Sequence, residues 1–122
     1  MRIYDGDTVA PTVRLTIDAV ESFDAPETFR PRCPQQLALG QRATRQLREI
    51  IDRAERVVII PILDDDGSIA VTRGSRPRLL MRMEADGENV GAMLAREGLA
   101  MQYRWETERV DWCATPPVRL PR

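Results

Sequence analysis

The chain contains neither histidine nor lysine in its 122 residues. Without histidine it cannot form a Ser-His-Asp triad, a histidine general base or a histidine metal ligand. Carboxylates and arginines must therefore carry any chemistry, and all 18 basic residues are arginines. Arginine makes bidentate contacts with phosphate, although a coding bias over the whole gene is the simpler explanation for its exclusive use.

Cysteine is also scarce. The two cysteines, Cys33 and Cys113, are too few and too far apart in sequence for a zinc motif. Two interpretations stay open at this point. The pair could form a disulfide that ties the start of the first helix to the C-terminal segment of an exported protein, or both residues could be free thiols.

Long apolar runs and a strong net charge are missing as well. No run approaches the roughly 18 to 20 apolar residues that a membrane span needs, so we expect no membrane partner. Residues 1–4 lead directly into the first acidic motif, so we also expect no targeting segment in this chain. With 18 basic and 19 acidic residues the net charge is −1, and any nucleic acid would have to be held by a local arginine patch.

What the chain does contain is a pair of acidic motifs near its start. Asp5-Gly6-Asp7-Thr8 and Phe23-Asp24-Ala25-Pro26-Glu27-Thr28 flank an alternating segment, Thr12 to Phe23, whose period of two predicts a strand. This arrangement brings three carboxylates to one end of a small sheet: Asp7, Asp24 and Glu27. Such a histidine-free, oxygen-rich site suits Ca²⁺ or another hard cation.

Apolar periodicity and turn residues predict the remaining elements. We expect a short strand over residues 1–5 and a hairpin turn or sheet edge at Pro11. The later elements are helices over 36–54 and 89–97 and strands over 55–63, 69–72, 79–84 and 99–105. We take residues 106–122 as a separate C-terminal tail. Its proline-rich end, residues 114–122, lacks periodicity, and we expect that end to be mobile or draped over the surface.

Taken in order, these motifs resemble the staphylococcal nuclease (thermonuclease-like) family. Its pattern is Asp-Gly-Asp-Thr, a hairpin ending in Asp-Ala-Pro-Glu, a helix, an arginine before a strand, and a final helix running into Gly98-Leu99-Ala100. The resemblance covers residues 3–105, and we take residues 1–105 as the domain. It implies a β-rich α+β fold, a five-stranded OB-type Greek-key barrel with two to three helices.

The resemblance also implies site residues and a function. Asp7 and Asp24 would bind Ca²⁺ with the Ala25 carbonyl, Glu27 would be the general base, and Arg78 would hold the phosphate. Two further residues would contact nucleic acid: Arg76 and Tyr103. The implied activity is that of a calcium-dependent endonuclease, a hydrolase with low sequence specificity acting on single-stranded DNA or RNA, and we expect a monomer. The alternative is a catalytically inactive OB-type module that binds nucleic acid or protein.

One part of the family pattern is missing. Counting back from Glu27 places the second phosphate-binding arginine on Ala19, while Arg14 is expected on the opposite strand face unless a bulge intervenes. Loss of one such donor typically lowers a rate by about 10² to 10³. The sequence therefore predicts either a weakened nuclease or an inactive descendant that retains binding.

A local near-repeat leaves a second assignment open. Residues 17–22 and 23–28 share the pattern Asp-Ala-x-Glu, and we assign the site to the second copy because it contains the proline. If the first copy were the site, its members would be Asp18, Glu21 and Arg14.

Overall fold

The structure is a computed structural model that describes residues 5–8 and 12–122. The turn at Pro11 and all but the last residue of the strand expected over residues 1–5 lie outside the described residues. The described part of the chain contains eight strands and two helices. In chain order these are β1 (Val13–Leu15), β2 (Glu21–Asp24), α1 (Pro34–Arg53), β3 (Val57–Pro61), β4 (Leu79–Ala85), β5 (Glu88–Asn89), α2 (Val90–Arg96), β6 (Met101–Arg104), β7 (Glu108–Asp111) and β8 (Val118–Pro121).

Strand β4 is the centre of the main sheet. It pairs in parallel with β1 and antiparallel with β3 and β5, while β2 pairs with β6 and β7 with β8 in two antiparallel pairs. The predicted β-rich α+β class is confirmed. Among the described residues the strands form open sheets, and they do not close into a barrel.

The alternating segment before Asp24 is two strands and not one. Asp18 Oδ1 accepts hydrogen bonds from the backbone N–H groups of Val20 (2.8 Å) and Glu21 (2.7 Å), which turns the exposed chain between β1 and β2. The prediction of one strand from Thr12 to Phe23 is therefore wrong. Side-chain capping by aspartate outweighs a period-two pattern that continues through the turn.

Both predicted helices are confirmed, and their ends follow local capping rules. Helix α1 begins at the N-cap Cys33, whose Sγ accepts from Gln36 N–H, and Pro34 occupies its first turn. Helix α2 is capped by the Asn89 side chain and ends before Gly98, which has a φ of 72°. Neither described helix combines the length and the apolar character needed to cross a membrane.

The helices and the sheets share one main core. The inner face of α1 and helix α2 pack over β1, β2 and β4. The largest fully buried apolar side chains are Phe23, Leu15, Leu47, Met83, Leu94 and Val90.

The C-terminal tail contains an ordered hairpin. Strands β7 and β8 pair, and Cys113, which follows β7, forms a disulfide with Cys33 at the start of α1. The Gln35 side-chain amide also donates to the carbonyls of Trp112 (2.9 Å) and Ala114 (2.8 Å). Of the two interpretations left open for the cysteines, the structure shows the disulfide. Proline interruptions concealed the short strands, and the contacts that hold them come from distant parts of the chain.

We expect the double substitution Cys33→Ser, Cys113→Ser to lower the free energy of unfolding by roughly 2 to 5 kcal/mol. The bridge closes a loop with a sequence separation of 80, so its loss frees a large part of the unfolded chain. Serine is a good N-cap, so helix α1 keeps its start. Urea unfolding measures the change, and an unchanged midpoint would show that the bridge adds no stability.

Candidate active site

Asp7 joins the two acidic motifs. Its carboxylate is buried, with Oδ2 accepting from the Ala25 backbone N–H at 2.8 Å and Oδ1 accepting from the Thr8 hydroxyl at 3.0 Å. Gly6 permits this approach, because a Cβ there would lie 2.8 Å from the Ala25 Cβ. The predicted meeting of the first and second acidic motifs is therefore observed.

Arg14 lies at the centre of the candidate site. Its side chain is 5% exposed, and Nη1 lies 2.8 Å from Asp7 Oδ2. Nη2 donates to the Phe23 carbonyl at 2.8 Å and lies 3.9 Å from Asp24 Oδ1. Nη1 also donates to the Leu15 carbonyl at 3.1 Å. The guanidinium therefore bridges both candidate metal ligands, and two backbone carbonyls hold it in place.

This position corrects the predictions made for Arg14 and Ala19. Ala19 belongs to the exposed turn between β1 and β2, whereas Arg14 faces the acidic motifs. The Leu15 N–H donates to the Asp7 carbonyl at 2.9 Å, which ties β1 to the acidic turn. Counting back from Glu27 failed because it assumed an uninterrupted strand, whereas a turn adds residues between the arginine and Asp24.

The same turn decides between the two copies of the near-repeat. Asp18 is exposed and caps the turn, and Glu21 pairs with Arg104 across β2 and β6. Asp24, in the second copy, faces Arg14. The structure thus brings Asp24 of the second copy together with Asp7 and with Arg14, the arginine of the alternative assignment to the first copy.

Burial and like charge perturb the carboxylates of this cluster. Removal from solvent and the charge of Asp7 raise the pKa of Asp24 to about 7, although Arg14 and the Trp112 indole N–H oppose this shift. Removal from solvent and the Asp7 charge likewise raise the pKa of Asp5 to about 8. Burial also disfavours the Asp7 carboxylate, but Arg14 and the hydrogen bonds around it outweigh this effect and lower its pKa. The site therefore holds more carboxyl groups than one guanidinium can keep ionised.

Arg78 approaches Asp7 from another direction. Its Nη1 donates to the Thr8 hydroxyl at 3.0 Å, and that hydroxyl donates to Asp7. The structure therefore places the predicted phosphate ligand at the predicted site. Arg76 lies exposed in the loop before β4.

Tyr103 lies beneath the cluster and not on an open surface. It is 5% exposed, and its ring packs edge to face on Trp105 with centroids 5.6 Å apart. Burial raises the pKa of its hydroxyl, and the nearby positive charge of Arg14 opposes that shift. In this arrangement the tyrosine lies beside Arg14. A direct contact of Tyr103 with nucleic acid stays a prediction.

Glu27 is exposed three residues after Asp24, on a segment that packs tightly on α1. A Cβ at Gly40 would lie 2.6 Å from the Pro26 carbonyl oxygen and 3.1 Å from that of Glu27. The absence of a side chain at Gly40 therefore lets the backbone of Glu27 lie directly against the helix, next to Asp24.

We expect Gly40→Ala to destabilise the fold by roughly 1 to 2 kcal/mol, although alanine favours a helix by about 1 kcal/mol. The new methyl group meets the backbone carbonyl oxygens of Pro26 and Glu27, and the Thr28 methyl at 3.0 Å, so α1 or the Glu27 segment has to shift. Gln41→Ala, at the next and exposed helix position, is the matched control. Equal unfolding midpoints for the two variants would contradict the close packing.

The donors present determine whether a metal fits. Within residues 5–8 and 12–122, no three or more carboxylate or cysteine side chains already form a group that could hold a metal ion. Both Asp7 oxygens accept hydrogen bonds, and Asp24 Oδ2 accepts from the Trp112 indole N–H at 2.8 Å. Asp24 Oδ1 is the freest of these oxygens. A Ca²⁺ ion here would have Asp24 Oδ1 as its freest protein ligand and would take the rest of its coordination shell from water and phosphate oxygens.

Two residues of the cluster, Arg14 and Trp112, do not follow from the sequence pattern. Strand alternation predicts Arg14 on the opposite face, and the turn at Asp18 is the signal that corrects this prediction. Trp112 had no local signal, because it lies 88 positions from Asp24 in sequence.

No protein-family model matches the chain. Nor does any curated protein match it significantly.

Proposed function

We propose that this chain is a metal-dependent phosphodiesterase of the thermonuclease type, on a scaffold related to the OB fold. One observation carries the proposal: two arginines, Arg14 and Arg78, converge on the buried carboxylate of Asp7, directly and through the Thr8 hydroxyl. Two guanidinium groups beside paired carboxylates suit a phosphodiester, whose charge grows in the transition state.

In the proposed hydrolysis, different groups of the site have different roles. Arg14 and Arg78 neutralise the phosphate oxygens, and Arg14 is preorganised by its backbone carbonyl partners. Glu27, exposed and close in sequence to Asp24, accepts a proton from the attacking water. Asp7, Asp24 and the Ala25 carbonyl would hold Ca²⁺, which stabilises negative charge on the phosphate when bound.

The surface beside Glu27 supports single-stranded DNA or RNA as the substrate class. Phe29 is 77% exposed, and the Arg30 guanidinium lies 5.3 Å from its ring centroid. An exposed aromatic ring with an arginine can stack on an unpaired base regardless of sequence. The net charge of −1 requires such local contacts.

A second candidate function is a catalytically inactive module that binds nucleic acid or protein. The observation that favours it is the Arg14–Asp7 ion pair, which already satisfies a carboxylate that the enzyme would use for metal. This module would bind oligonucleotide or protein equally well with and without Ca²⁺.

Release of acid-soluble nucleotide from denatured DNA tests the proposal. We expect purified protein to release nucleotide in Ca²⁺ and to stop when the metal is chelated. Oligonucleotide binding without release, equal in Ca²⁺ and chelator, would replace the enzyme with the binding module.

A further inference from the structure

The C-terminal hairpin reaches into the candidate active site through one side chain. Trp112 is 4% exposed, and its indole N–H donates to Asp24 Oδ2 at 2.8 Å. A charge-assisted bond of this kind is stronger than one between neutral groups. Trp112 lies outside residues 3–105, the part of the chain that carries the motifs.

Three features hold Trp112 in place. The next residue, Cys113, is bonded to Cys33 in the disulfide that connects the hairpin to the start of α1. The Gln35 amide donates to the Trp112 carbonyl at 2.9 Å. The Cys113 N–H donates to Asp111 Oδ1 at 3.0 Å, which shapes the chain just after β7. The indole is therefore fixed by groups on both sides of it and by the first turn of α1.

The indole hydrogen bond fixes the orientation of the Asp24 carboxyl group and leaves one of its two oxygens without a hydrogen bond from Trp112. With Oδ2 bound to Trp112, the other oxygen, Oδ1, faces Arg14 Nη2 at 3.9 Å. Rotation of the Asp24 carboxyl group would break the indole hydrogen bond in a half-buried setting, where an unpaired donor is costly. The same hydrogen bond favours the charged form of Asp24 against its partial burial.

We propose that Trp112 is a positioning residue of the active site, which the disulfide-anchored hairpin supplies to orient the Asp24 carboxylate. This inference rests on the proposed phosphodiesterase function. The hairpin then contributes a side chain to the site, in addition to any stability that it adds to the fold.

Trp112→Phe is the test variant, because phenylalanine keeps an aromatic ring in the core and removes the N–H donor together with the second ring of the indole. Loss of a hydrogen-bond partner behind a metal ligand typically lowers metal affinity or activity roughly 10-fold to 100-fold. We expect a fall of this size in kcat and in the Ca²⁺ affinity measured by calorimetry, with KM for denatured DNA changed less than kcat. Arg119→Gln, an exposed change in the same hairpin, is the control.

A second readout does not depend on activity or metal. The carboxyl carbon resonance of Asp24 in the metal-free protein should move in Trp112→Phe and stay in place in Arg119→Gln. If it moves and kcat and Ca²⁺ affinity fall, the positioning role is supported. The Asp24 resonance could also move in Trp112→Phe although the wild-type protein neither hydrolyses DNA nor binds Ca²⁺. That result would support the orientation of Asp24 by Trp112 and contradict the proposed function.

Two results would overturn the inference. One is an unmoved Asp24 resonance in a folded Trp112→Phe protein, whatever its activity. The other is a moved resonance with kcat and Ca²⁺ affinity equal to those of the active wild-type protein, since the carboxyl orientation would then not matter to the site.

Discussion

Replacing Arg14 with methionine is expected to lower the rate of nucleotide release by about 10² to 10³ and the free energy of unfolding by about 3 to 5 kcal/mol. The rate falls because a preorganised donor to the phosphate is lost. Stability falls because Asp7 keeps its burial and loses the cation 2.8 Å away. Two backbone carbonyls, those of Leu15 and Phe23, also lose their donor.

Arg14→Lys separates the two effects. Lysine keeps a positive charge near Asp7, but its single ammonium group cannot reproduce the planar set of contacts that Arg14 makes. We expect this variant to recover more of the stability than of the rate. Stability comes from urea unfolding and the rate from initial release of nucleotide by the folded fraction.

Arg53→Gln provides the matched control for the Arg14 substitutions. Arg53 is an exposed arginine paired with Glu49 along α1, so both quantities should stay near the wild-type values. A fully active and stable Arg14→Met protein would mean that the arginine neither contacts phosphate nor balances Asp7.

Glu27→Gln is expected to reduce kcat by roughly 10² to 10⁴ without loss of stability. The side chain is exposed, so the substitution leaves no buried group unpaired. Glutamine keeps the shape of glutamate but cannot accept the proton of the attacking water. Ca²⁺ affinity should change little, because the donors assigned to the metal are Asp7, Asp24 and the Ala25 carbonyl.

Glu21→Gln is the control for Glu27, since Glu21 holds the same place in the first copy of the near-repeat and pairs with Arg104 on the surface. Both variants are assayed on denatured DNA in saturating Ca²⁺. If Glu21→Gln abolished release and Glu27→Gln did not, the general base would have been assigned to the wrong copy.

Much of the local structure follows from short sequence signals. Helix α1 was predicted within two residues of its observed ends because its apolar spacing and Pro34 act over a few residues. Asn89 and Gly98 likewise mark the ends of α2. The approach of Asp7 to the Asp24–Glu27 motif could also be predicted, since both motifs flank one short stretch of strand and turn.

The failed predictions share a different physical origin. One continuous strand was expected before Asp24 because the alternation of apolar and polar residues continues through the turn. The Asp18 side chain caps that turn and ends the strand there. The same assumption placed Arg14 on the face away from the acidic motifs, whereas it lies beside Asp7. The pairing of β7 with β8 is not visible in the sequence, because these short strands gain their order from the disulfide and from Gln35, both anchored at the start of α1.

The residue types alone restrict the chemistry of this protein: with no histidine or lysine, carboxylates and arginines must form its site. Which of them meet depends on packing between distant segments. Arg14 enters the site because a turn folds β2 back beside it, and Trp112 reaches Asp24 across 88 positions because a covalent bond holds the hairpin there. Capping and periodicity act over a few residues and are visible in sequence, whereas contacts between distant segments depend on the whole fold.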